Sequence, residues 1–320
     1  MSEKEKIIKE MAQEIAQAIK GEDSWESALK PMQTDITATE KQSIEKLVVK
    51  PSLTENIKEL KPFKTGTFLD KMFLDRNEKP INGIPFGSTT IITGLPNTGK
   101  SLLIEEIVLK IANDGRRICF VTSEEIFRTE GARYDLENRM REKAKILGLD
   151  WNKISKNLYV LDAVAFAELR DWHTFAKSFR TLVENEKVEF LAIDSLTLLE
   201  DSRGQLKYRL LELMKYGQKN GITSMLINQR SADDTDSFSM AGGLSLSHVA
   251  DVVFVLDSKK IWSGDAQMKL DMNVKQGETI NFFHILKNRM GRCKSNYFQY
   301  SITSDGLVRL IDPEQGDING

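Results

Sequence analysis

The stretch Gly94-Leu95-Pro96-Asn97-Thr98-Gly99-Lys100-Ser101 constrains the fold of this chain more than any other. It satisfies the pattern G-x-x-x-x-G-K-[ST] at every fixed position. The apolar run Thr89-Thr90-Ile91-Ile92 precedes it as a strand, and the apolar pattern Leu102–Ala112 follows it as a helix. Strand, glycine-rich loop and helix in that order make a cradle for phosphate. Gly94 and Gly99 let the backbone curl so that successive amides point inward, and the helix opening at Lys100 adds its positive dipole end. Lys100 is placed to reach the β- and γ-phosphates of a nucleotide, and Ser101 to offer its hydroxyl to Mg²⁺. The predicted binding segment for ATP is therefore Gly94, Leu95, Pro96, Asn97, Thr98, Gly99, Lys100, Ser101 and Leu102.

Such a cradle needs a carboxylate for the magnesium ion. Phe190-Leu191-Ala192-Ile193-Asp194 reads as a buried strand ending in an acid. A carboxylate there is costly unless a cation compensates it, so Asp194 is the second expected metal residue beside Ser101. Turnover also needs a group to orient or deprotonate water. Phe120-Val121-Thr122-Ser123-Glu124-Glu125 ends in two carboxylates, and parallel strands open their C-terminal ends on one edge. Glu124 is the favoured catalytic carboxylate and Glu125 the alternative. The strand Thr223–Asn228 leads to Gln229 and Arg230. Gln229 or Asn228 is a candidate sensor of the γ-phosphate, with Arg230 assisting.

From Thr65 onward strand and helix patterns alternate, which predicts a mostly parallel sheet covered on both faces. Strands are expected at Ser88–Thr93, Arg117–Thr122, Leu158–Asp162, Phe190–Asp194, Thr223–Asn228 and Val252–Leu256. Helices are expected at Lys100–Asn113, Tyr134–Leu147, Trp172–Asn185 and Gln205–Asn220. Antiparallel strands are expected around Ile261–Ile285 and Tyr297–Leu310, with Ser304-Asp305-Gly306 as a hairpin turn. Ahead of this core, Ile7, Met11, Ile15 and Ile19 share one helix face, Gly21 stops that helix, and Thr39 with Gln42 has capping-box spacing for a second. The organisation read from this is a helical appendage over residues 1–50, a linker over 51–63 and an ATPase domain over 64–315.

These residues together resemble the RecA superfamily, with the KaiC-like and RadA-like ATPases and the DnaB-type hexameric helicases as its nearest branches. The likeness runs from about Thr65 to Leu310. Thr65-Gly66, Leu69-Asp70 and Gly83-Ile84-Pro85 look like that family's approach to the phosphate loop. FVTSEE at Phe120–Glu125 looks like the KaiC-type strand with paired glutamates, AIDSLTLL at Ala192–Leu199 like its Mg²⁺ strand, and Gly242–Asp257 like the segment after its second central loop. Lys287-Asn288-Arg289-Met290-Gly291 resembles a K-x-R-x-G pattern whose two cations reach the nucleotide of the adjacent subunit in that family. The resemblance implies a RecA-like P-loop NTPase core, α/β, with an extra strand between the phosphate-loop strand and the Asp194 strand. It implies a homo-oligomer, ring or filament, with ATP at subunit interfaces. Independently, Lys287 and Arg289 are expected two apart on a strand after the mostly apolar run Phe282–Leu286, and so on one face, a pair suited to a polyanion.

Partners are less sharply drawn. The formal net charge is -2, so the chain as a whole does not attract nucleic acid, and any contact needs a local basic patch. In RecA relatives two loops touch nucleic acid, and here they follow Asp194 and Gln229. The first, Glu200–Lys207, carries one Arg and one Lys against two acids; the second, Ser231–Gly243, carries three aspartates and one Phe. Loops that grip DNA carry cations and stacking aromatics instead. Arg133, Arg139, Arg141, Lys143 and Lys145 read as the solvated face of a helix. Two readings follow: an oligomeric ATPase acting on single-stranded DNA in recombination or repair, and a KaiC-like oligomeric switch acting on a protein partner. Two isolated cysteines and three histidines exclude a zinc cluster of usual spacing. The charged N-terminus and the lack of any apolar run near the ~18–20 residues that span a bilayer predict a cytoplasmic location and no membrane partner.

Overall fold

The computed structural model of the chain describes residues 61–131, 134–199, 206–229, 248–312 and 316–317. The expected appendage, the linker as far as residue 60, Arg133, and the segments 200–205 and 230–247, and with them Arg230, lie outside these residues.

The first described turn is wound around one carboxylate. The Thr65 amide, the Thr65 hydroxyl and the Gly66 amide donate to Asp70 at 2.8, 2.7 and 2.9 Å. Burial pushes the Asp70 carboxyl up, and those bonds oppose the shift. Leu69 beside it is fully buried, so this pattern of residues acts as a structural clasp leading into the sheet.

Nine strands among the described residues build the main sheet: β1 (Thr89–Gly94), β2 (Ile118–Thr122), β3 (Leu158–Asp162), β4 (Phe190–Asp194), β5 (Thr223–Gln229), β6 (Val252–Lys260), β7 (Thr279–Asn288), β8 (Phe298–Ile302) and β9 (Val308–Asp312). Their order across the sheet is β3-β2-β4-β5-β1-β6-β7-β8-β9, with Gly316–Asp317 added beside β9. The strands from β3 to β6 pair in parallel, and those from β6 to β9 antiparallel. β5 thus lies between the phosphate-loop strand and the Asp194 strand, as the resemblance implied.

The central strands are almost continuously buried because both faces are covered. Alternate residues serve different layers. Ile92, Ile118 and Phe120 pack under α1 (Lys100–Asn113), α2 (Leu136–Ile146) and α3 (Trp151–Asn157). Ile91, Cys119 and Val121 pack under α4 (Trp172–Glu186) and α5 (Leu206–Asn220). Cys119 is a buried core thiol, as expected. The hairpin turn also forms: Gly306 has φ 70°, and Thr303 donates its amide to Leu307 O at 2.9 Å.

One expectation needs correction, and one helix went unread. The region Ile261–Ile285 is not strand throughout, because α6 (Ala266–Met272) stands between β6 and β7 and buries Met268 and Met272 one turn apart. α3 was not foreseen; its seven residues bury only Ile154, too little to display a helical period. Among the described residues no helix is long and apolar enough to cross a membrane.

Candidate active site

The phosphate loop is fixed from the C-terminal side of the sheet. Gly94 has φ 151°, and a Cβ there would sit 1.7 Å from Leu256 O on β6. Gly99 caps α1 with φ 85°, and its Cβ would meet Ile302 and Val308, on β8 and β9, at 3.1 Å. The buried Tyr300 donates its hydroxyl to Thr98 O at 2.6 Å, and the Leu95 amide donates to Asp257 at 3.3 Å. The antiparallel extension is therefore the wall against which the loop is set. Within it, Lys100 donates its ammonium to Gly94 O, Leu95 O and the Thr98 hydroxyl at 3.0, 2.5 and 3.3 Å. Burial brings the Lys100 pKa down to about 8, against the pull of Asp257, Asp194 and Glu124.

Three strand ends converge on the same cleft. Asp194 closes β4, where burial raises its carboxyl to about 6; a bond from Ser101 opposes this, and the charges of Glu124, Glu105 and Glu125 add to it. Its Oδ1 is buried without a hydrogen-bond partner. The Asp194–Ser195 peptide bond is cis. Glu124, just past β2, accepts from the Ser195 hydroxyl and the Gln229 amide, both at 2.7 Å. The ends of β2, β4 and β5 are thereby joined through one carboxylate. Glu125 turns instead to Arg139 of α2, 2.7 Å away. The cleft has a volume of about 420 Å³, and Lys100, Ser101, Glu124, Glu125 and Gln229 all line it.

Not every expected residue meets there. Asn228 is buried inside β5, and only Gln229 of that pair lines the cleft. Lys287 and Arg289 stand apart from the cleft, and they do not share a strand face. A bulge breaks β7 between Ile285 and Lys287, the strand ends at Asn288, and Arg289 lies beyond it. Lys287 donates to Ala250 O at 2.6 Å, and the Arg289 amide donates to Asp251 O at 2.9 Å.

The basic helix face also needs correction. Arg141 and Lys145 are exposed, but Lys143 is only 3% exposed and bonds Glu105 of α1 at 2.6 Å. Arg139 bonds the same glutamate at 2.7 Å. Glu105 and Arg139 line the cleft and were not anticipated. The available signal was the pair Glu105-Glu106 inside an otherwise apolar helix. Both are buried, and each carries two cations, those of Glu106 being Lys110 and Arg309 at 2.8 and 2.9 Å.

The residues present fit a magnesium nucleotide. A side chain at Gly94 would collide with Leu256 O, Gly99 takes a left-handed φ of 85°, and the unpartnered Asp194 oxygen lies on a carboxylate bonded to Ser101, a pair of hard oxygen donors. No group of three or more His, Cys, Asp or Glu fit for a metal occurs among the described residues. Magnesium suits such a sparse set, since it is held by one or two protein oxygens with phosphates and water.

A family model described as "ATPase: KaiC" matches residues 57–315. The chain is 24% identical over 241 residues to "DNA repair protein RadA" of Streptococcus pyogenes serotype M6, covering 73% of this chain and 43% of that protein. It is 27% identical over 245 residues to the RadA protein of Aquifex aeolicus, covering 72% and 44%. It spans less than half the length of these relatives. The crystal structure of a KaiC-like protein from Pyrococcus horikoshii OT3 superposes with TM-score 0.57 at 21% identity, over 79% of this chain and 100% of that one, a likeness of fold.

Proposed function

Because this chain belongs to the KaiC ATPase family, we propose that it binds ATP and Mg²⁺ along Gly94–Leu102 and hydrolyses the nucleotide to ADP and phosphate. The observation that carries this reading is the cleft itself: a buried ammonium, an unpartnered buried carboxylate oxygen and a doubly hydrogen-bonded glutamate line or border one cavity. Main-chain amides of the loop and Lys100 bind the phosphates. Ser101 and Asp194 would hold Mg²⁺, which when bound neutralises charge on the β- and γ-phosphates. Glu124 accepts a proton from water as the water oxygen forms a bond to the γ-phosphorus and the bond from phosphorus to the β,γ-bridging oxygen breaks, leaving ADP and phosphate. Ser195 and Gln229 hold Glu124 in place for this. Gln229 is then the residue through which loss of the γ-phosphate reaches the loop at 230–247. Lys287 and Arg289, away from the chain's own cleft, are suited to act on the nucleotide of a neighbouring subunit in a ring or filament.

The substrate of the motion is, in this reading, single-stranded DNA, in repair or recombination. Its support is the printed name of the RadA relatives. A second reading, an oligomeric ATP switch for a protein partner, is favoured by the three aspartates of the loop Ser231–Gly243. ATPase rate measured with and without single-stranded DNA over a salt series decides. Stimulation that fades with salt supports DNA; no stimulation even at low salt removes it.

A further inference from the structure

Two adjacent carboxylates end up with different partners, and one arginine is responsible for the division. The Arg139 guanidinium donates from Nε and Nη2 to Glu105 at 3.2 and 2.7 Å, and from Nη1 to Glu125 at 2.7 Å. Glu105 sits one turn beyond Ser101 on α1, is 1% exposed, and has its other oxygen held by Lys143 at 2.6 Å. The inner anchor of Arg139 is thus rigid. Glu125 is half exposed and has no other hydrogen-bond or ion-pair partner among the described side chains. Its neighbour Glu124 is bonded to Ser195 and Gln229, both on strand ends.

We propose that Arg139 is a positioning residue for hydrolysis: its planar fork ties Glu125 back to the phosphate-loop helix, so that Glu124 alone of the two carboxylates addresses the attacking water. This role rests on the reading of the cleft as a Mg-ATP site. A fork is needed because two carboxylates on different elements must be bridged by one cation at fixed angles, which an ammonium group does not do. Released from Arg139, Glu125 would stand as an extra negative charge beside Glu124 and Asp194. There it would repel the γ-phosphate and compete for the divalent cation.

The test is rescue. In steady-state assays Arg139→Gln lowers kcat by about tenfold or more while KM for Mg-ATP stays within about threefold. Adding Glu125→Gln to that variant recovers at least about fivefold, because the loose charge has been removed. A merely structural role for Arg139, bracing Glu105, would not respond to Glu125. Arg139→Lys keeps a cation beside buried Glu105 and serves as the second background should Arg139→Gln fold poorly; the same rescue is expected in it. An Arg139 variant with unchanged kcat, or a double variant no faster than its single parent, overturns the proposal. Calorimetric titration of wild type with Mg-ATP runs in parallel. Absent binding there overturns the reading of the cleft and this role with it, whereas binding without rescue overturns this role alone.

Discussion

Lys100 and Asp194 each sit where burial disfavours their charge, and Glu124 beside them is held by two hydrogen bonds. The Lys100 ammonium sits among loop carbonyls that phosphate oxygens would outbid as acceptors. Asp194 is lifted to about 6 by burial. Since that pKa stands above the ordinary value near 3.9, the group favours the folded state fully at low pH, and this contribution is lost as pH rises through about 6. Thermal melts in EDTA should therefore show stability falling by roughly 2–3 kcal/mol between about pH 4 and 7 from this group. Asp194→Asn should flatten that segment, and Mg²⁺ should restore stability at neutral pH in wild type only. A flat profile in wild type would contradict the buried, cation-seeking carboxylate. Glu124→Gln keeps Mg-ATP binding and slows turnover by on the order of 10²–10⁴-fold in a phosphate-release assay. Unchanged turnover would move the role to Glu125. The residues in these arguments were legible because their spacing is fixed by backbone geometry: a loop of set length, or a position at or just past the end of an apolar strand. Glu105 and Arg139 were not. Helical periodicity shows that Arg139 and Lys143 share a face, but not that the face turns toward α1 rather than water.

At the scale of elements, the phosphate loop depends on strands far from it in sequence. β6 approaches Gly94 so closely that no Cβ fits, and Tyr300 of β8 fastens Thr98 from behind. Tyr300→Phe removes one buried hydrogen bond to the loop and keeps the ring in the core. The expected loss is about 1 kcal/mol in stability with a several-fold weaker Mg-ATP affinity. Urea melts and calorimetry check the pair of effects; a stability loss with unaltered affinity would mean that the C-terminal strands do not shape the cradle. The central strands and long helices were readable as apolar runs and helical periods. α3 and α6 were not, being seven residues each with one and two buried side chains. The bulge before Lys287 was equally hidden, since a strand's pattern of polar and apolar residues does not announce an extra residue in the ladder.

The whole molecule couples one sheet edge to two directions of action. Parallel strands bring Asp194, Glu124 and Gln229 to a common edge, and that convergence was foreseeable once the chain was read as parallel. The position of β5 between β1 and β4 came from family resemblance alone, because no local signal encodes strand order. Lys287 and Arg289 leave their own cleft unserved, which makes the oligomer a testable matter. Arg289→Ala should lower turnover in assembled protein, and mixing it with Glu124→Gln should regain activity if sites are shared between subunits. Failure to regain any would place Arg289 in its own subunit's chemistry or outside it. Beneath all of this stands the cradle of inward amides and one ammonium group. Calorimetric titration of Mg-ATP into wild type and Lys100→Ala tests it most directly. The account predicts a saturable heat for wild type and an affinity weakened by about 100-fold or more for the variant. No heat from folded wild type, or micromolar affinity kept by Lys100→Ala, would contradict it.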